Sequence, residues 1–335
     1  MRRLSAALAG LVATAFFVVP VLAHHSMSMF DTSKEVLIRG KVVRFDWKNP
    51  HMYLIVETVG EDGKKQLIQG EGLGITQALV DGLHQKDLPV GAQVVVRANP
   101  NRNGPLKTVR LLDVTTQDGE IHPFYTANSK TRTLTPATSL AGNWAPSRQS
   151  MTAAWGAILK WPVTPAGRAV QKQNKADGLC FVEPTPFLAT LDELRTIRVG
   201  RNEVVMHFNN TGDDAVRTVR LNAKHAANVK PSRFGDATGT WEGQTLVIDT
   251  VAFEPNPSGL FVNIPSSARK HTVERLTLTD DHLRLRYETT VEDPTYLEKP
   301  ASVTMLWDHR PDLRPSLRSE VCDPAIARRY REYAK

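Results

Sequence analysis

Cysteine is scarce: Cys180 and Cys322 are the only two in 335 residues. Neither has a CxxC neighbour, which excludes the common dithiol redox motif and a Cys-rich zinc module. Catalytic signatures are missing as well. No HExxH, no GxSxG elbow and no GxGxxG or P-loop pattern occurs. Long apolar runs are absent beyond the first two dozen residues, so no later segment has the length of a membrane-crossing helix. Charge of either sign is scattered, and neither a nucleic-acid stripe nor a polybasic membrane anchor is expected.

What is there begins with an export signal at residues 1–23. Arg2 and Arg3 precede an apolar run from Leu4 to Leu22, and Val21 and Ala23 occupy the small-residue positions before a signal-peptidase cut. Pro20 near the end of the run argues against an uncleaved anchor. Cleavage after Ala23 makes His24 the first residue of a periplasmic or secreted protein. Loss of Arg2 and Arg3 leaves 40 basic against 35 acidic residues, formally +5. In an oxidising compartment the two cysteines are expected to pair as Cys180–Cys322, with a contribution of roughly 2–5 kcal/mol.

Residues 24–125 read as a first, OB-like domain. Apolar alternation places strands at Val36–Trp47, His51–Val59, Lys65–Gly70, Val94–Ala98 and Thr108–Val114. Ile75, Leu79 and Leu83 recur at helical spacing between the third and fourth. Five strands with a helix in that place follow the OB-fold order. The parity change within the first strand, around Gly40, predicts a bend there. Phe45, Trp47 and Tyr53 could stack bases, but core and rim of a small barrel is the plainer reading, and no nucleic acid is expected. Gly70-Glu71-Gly72-Leu73-Gly74 turns the chain into the helix rather than cradling a phosphate.

The mature start reads His24-His25-Ser26-Met27-Ser28-Met29. A free terminal amine and adjacent imidazoles suit Cu(II), and thioether sulfur suits Cu(I). In an extended tail His25, Met27 and Met29 share one side. His51, at the head of the second strand behind Pro50, is the rigid partner. The expected ligand set is therefore His24, His25, His51, Met27 and Met29, with copper or another transition metal as cargo. The plain alternative for the same residues is an ordinary tail.

His24-His25-Ser26, then Phe30-Asp31, Val36–Asp46 and Asn49-Pro50-His51, resemble a family of small secreted bacterial proteins classed as a domain of unknown function. The resemblance spans roughly residues 24–120. It implies a periplasmic barrel-like domain and supplies no activity or catalytic residue. Met27-Ser28-Met29 departs from that family's usual continuation.

Residues 126–139 read as a linker rich in Thr, Ser, Asn and Lys. Residues 140–335 read as a larger antiparallel β domain, a meander or calycin-like barrel closed by a short helix at Pro324–Tyr333. Expected strands are Arg195–Val199, Val204–Asn209, Val216–Asn222, Gly239–Trp241, Thr245–Phe253, His271–Thr279, His282–Val291 and Ser302–Trp307. Residues 154–175, divided by Pro162 and Pro165, read as a loop and a short helix. Gly239–Phe253 with His271-x-x-Glu274-Arg275 and Thr290–Pro294 resembles a second uncharacterised module of secreted bacterial proteins, which implies no known reaction.

Chemistry-capable residues in this domain are His225, Glu242, Asp249, His271 and Glu274. Glu274 and His271 lie three apart in an expected strand and so face opposite ways. Asp249, among Val247, Ile248 and Val251, is expected to need a cation such as Arg275. The first reading is thus a binding protein rather than an enzyme. Two alternatives are a secreted enzyme using those five residues, and a lipocalin-like carrier with a deep apolar cavity.

Overall fold

The computed structural model of the protein describes residues 30–48, 51–60, 62–102, 106–124, 133–173, 183–191, 194–208 and 215–313. His24, His25, Met27, Met29, both cysteines and the expected Pro324–Tyr333 helix lie outside them. The described chain is mainly β, in two barrels.

The first barrel uses β1 (Val36–Asp46), β2 (Tyr53–Val59), β3 (Lys65–Glu71), β4 (Gln93–Pro100) and β5 (Thr108–Thr116), with β6 (Ile121–Pro123) on β5. Their order is β3-β2-β1-β4-β5, closed by a parallel β3–β5 contact, and α1 (Ile75–Asp81) lies between β3 and β4. This is the expected five-strand barrel. The core takes Ile38, Val42 and Phe45 from β1, so parity changes after Val42 rather than at Gly40. The ladder with β2 shifts register between Val42 and Arg44. An extra residue there bends the strand. Gly40 has another role: a Cβ on it would lie 2.3 Å from the Glu57 carbonyl oxygen. Phe45 is core, edge-on to Trp47 at 5.4 Å, and Tyr53 packs with Phe30 and Ile55.

The second barrel closes nine strands: β7 (Gly142–Pro146), β8 (Arg195–Val199), β9 (Glu203–Phe208), β10 (Ala215–Leu221), β11 (Asp236–Glu242), β12 (Thr245–Val251), β15 (His271–Leu278), β16 (Arg284–Glu292) and β17 (Ala301–His309). A separate hairpin, β13 (Asn256–Phe261) with β14 (Ile264–Ser266), interrupts the run. One seam departs from a pure meander, because β10 and β11 pair in parallel and residues 222–235 cross between them. Helices α2 (Arg148–Ile158), α3 (Pro165–Gln173) and α4 (Phe187–Thr190) flank the barrel. The stretch expected to start as a loop at 154 is thus helical from Arg148, because Met151, Ala154 and Ile158 form one buried stripe. Ala137, in the expected linker, is buried and donates its N–H to the His282 carbonyl. No helix among the described residues is long and apolar enough to cross a membrane.

Alternation decides what enters the second barrel. Leu246, Ile248 and Thr250 of β12 are buried, as are Thr272, Glu274 and Leu276 of β15. Asp249 and His271 therefore sit on the outer wall and Glu274 inside.

Candidate functional sites

His51 precedes β2. Its Nδ1 lies 3.1 Å from the Gly72 carbonyl and 3.3 Å from Glu71 Oε1. Those two acceptors belong to the end of β3, which pairs with the start of β2 through Tyr53 and Glu71. Gly72 can lie so close only without a side chain, since a Cβ would meet the Phe124 ring at 2.6 Å. The ring is thus fixed through Nδ1, the way metal-bound histidines are oriented by a carbonyl or carboxylate behind them. Phe30 packs on Tyr53 and Ile55 of the same strand, and its neighbour Asp31 donates its N–H to the Pro100 carbonyl. The chain leading back toward His24 therefore starts beside β2. Among the described residues, no group of three or more His, Cys, Asp or Glu is arranged to hold a metal ion.

The outer wall of the second barrel gathers three of the five residues named for the enzyme alternative. His225, in the crossover before β11, points Nδ1 at Asp236 (2.9 Å) and Nε2 at Asp249 (2.8 Å). His271 points Nε2 at the other Asp249 oxygen, 2.9 Å away. Arg220 holds Asp236 at 2.6 Å, and Glu292 stands 3.8 Å from His271 Nδ1. The row is Arg220–Asp236–His225–Asp249–His271, partly open to solvent. Asp249 was expected to take Arg275; it takes two imidazoles, and Arg275 binds Glu242 at 2.7 Å. The register explains this. Asp249 stands opposite Val273, so His271 and Arg275 are both its diagonal neighbours, and Arg275 is claimed by Glu242.

The electrostatics follow from these contacts. Partial burial works against charge on His225, but hydrogen bonds to Asp249 and Asp236 and their negative charge hold its pKa above the ordinary 6.5. Burial likewise opposes ionisation of Asp249, yet bonds from His271 and His225 hold it below 3.8. Asp236 is lowered too, against burial, by His225 and Arg220. Sequence reasoning missed Asp236 and Arg220, whose signal was weak: a strand-start aspartate and a strand-end arginine across a long crossover.

Glu274, the fifth residue, serves another structure. Fully inside the barrel, it takes a bidentate pair from Arg217 (2.9 and 2.5 Å) and a hydrogen bond from the Tyr287 hydroxyl at 2.9 Å. Arg217 also donates to Thr250 at 2.7 Å. Tyr287 stacks on Trp307 at 4.9 Å, and Arg195 lies over Trp307 at 4.4 Å. Near one end, Lys270 donates to the carbonyls of Thr185 and Gly259 above the Phe253 ring. Burial pulls its pKa down to about 7 against the charges of Asp293, Glu274 and Glu183. The inside of this barrel therefore holds clustered charges and aromatics.

The sequence profile of a family of unknown function (DUF6152) matches residues 12–110, nearly the whole first barrel and the segment ahead of it. This agrees with the resemblance seen in the N-terminal residues, and it does not extend to the second barrel. No curated protein matches the chain.

Proposed function

We propose that the protein is an exported binding protein, periplasmic or secreted, that holds copper or a related transition metal with His51 and the mature N-terminus. The observation that carries this reading is the His51 ring, anchored through Nδ1 by Gly72 and Glu71, on the strand where Phe30 is seated. Six residues of extended chain span at most about 20 Å, and Phe30, from which they lead back to His24, packs on the strand that His51 precedes. His51 would supply one imidazole nitrogen, with the terminal amine and ring of His24 and with His25 completing the nitrogen set; Met27 and Met29 serve Cu(I).

Protein exported naturally and beginning at His24 should bind one equivalent of Cu(II) in calorimetry. One extra residue ahead of His24 should abolish tight binding, and Glu71→Gln should weaken it by about 10–100-fold by removing the carboxylate charge behind the ring. Equal affinity for the extended form removes the terminal amine from the site.

A second reading is an enzyme on the outer wall, favoured by the convergence of His225, Asp249 and His271. Histidine and carboxylate in hydrogen-bond reach are the parts of acid–base catalysis. Turnover of any chromogenic ester, phosphoester or glycoside that vanishes in Asp249→Asn would support it. The apolar carrier has less support, because Arg217 and Glu274 occupy the space its ligand needs.

A further inference from the structure

We propose that the second barrel carries a proton-operated clasp: the His225 imidazolium holds the β10–β11 seam shut, and loss of its proton releases the crossover at residues 222–235. The seam is the barrel's shortest ladder among the described residues, with two register pairs, Arg220 with Thr238 and Leu221 with Gly239. Side chains reinforce it from outside. Arg220 of β10 and His225 of the crossover both grip Asp236 at the head of β11, and His225 goes on to Asp249 of β12.

Ionised carboxylates only accept hydrogen bonds. Asp236 and Asp249 together face three ring nitrogens, two from His225 and one from His271, so three N–H donors are required. His271 supplies one through Nε2. His225 must supply two, which only the doubly protonated ring can do. The groups facing it are Arg220 from β10, Asp236 and Thr238 from β11, Asp249 from β12, His271 from β15 and, farther off, Glu292 from β16. Without the proton, one carboxylate meets a ring lone pair and the clasp loses an arm.

The linkage has two limits. The raised His225 pKa makes the clasp complete below 6.5 and lost as pH climbs through the folded value. The lowered Asp236 and Asp249 make it present above 3.8 and lost as pH falls through theirs. Between these limits the seam stays closed. Above the upper one, water gains access to the Arg217–Glu274 pair behind it.

Amide hydrogen exchange on the intact protein tests this, independently of any metal. Corrected for intrinsic rates, exchange over residues 222–240 should rise on the order of tenfold between pH 5.5 and 8, as one charge-assisted bond is lost. Strands β15 and β16 should not change, which also reports the fold. His225→Gln keeps a donor and no charge; its seam should exchange fast at both pH values. A pH-independent seam in the wild type, or a wild-type response in the variant, overturns the proposal. Should the variant not fold, ring nitrogen shifts of the wild type decide: His225 doubly protonated at pH 6.5 supports the clasp, and a neutral ring at that pH overturns it.

Discussion

At the scale of single residues, the second barrel is committed to its buried charges. Arg217 and Glu274 are about 1% and 0% exposed, so removing one partner strands the other without water. Arg217→Met should cost roughly 3–5 kcal/mol in urea unfolding, whereas Arg217→Met with Glu274→Leu should recover most of it. A double variant as unstable as the single one would mean that the pair is favourable in itself. Lys270 gives a signed pH test. Its folded pKa of about 7 lies below the unfolded 10.5, so between those values the unfolded chain binds the extra proton and stability rises with pH. The stability of the wild type relative to Lys270→Met should therefore grow from pH 7 to 10. A flat difference would place the folded pKa near its ordinary value.

At the scale of elements, β1 shows what a strand pattern can and cannot convey. Its two apolar parities were legible, and with them the need for a bend. The position was not, because glycine marks either a bend or a close approach. Gly40 is the second kind: its Cβ position is filled by the Glu57 carbonyl and Val56. Gly40→Ala should lower stability by about 1–3 kcal/mol through overpacking, while Gly63→Ala, in open space, should cost less despite its positive φ. Equal losses would point to backbone conformation rather than the close approach. The eight strands expected in the second domain were legible for the same reason that they close: alternating faces. Hairpin β13–β14 was not, since Pro257, Gly259 and Pro265 interrupt any alternation. The outer-wall row was half legible. Sequence gave Asp249 an ionic partner, but choosing between His271 and Arg275 needs the register, and reaching His225 needs the crossover.

At the scale of the molecule, α1 of the first barrel is tied to the second barrel by two arginines. Arg148, at the start of α2, bonds Asp81 at the end of α1, and Gln77 donates to the same carboxylate. Arg310, just after β17, donates to the Val80 carbonyl at 3.1 Å while its own N–H binds Asn143 of β7. Both arginines come from the second barrel and both acceptors from α1 of the first, so unfolding one barrel strips charge-assisted partners from the other. Each such bond contributes about 1.5–3 kcal/mol, enough to couple domains of ordinary marginal stability. The intact protein should thus unfold in a single calorimetric transition. Arg148→Ala with Arg310→Leu should split it into two, with the first barrel melting earlier because buried Asp81 loses its guanidinium partner. One transition at an unchanged Tm in that variant would show that the barrels are held together elsewhere. Two in the wild type would show that they never fold as one unit.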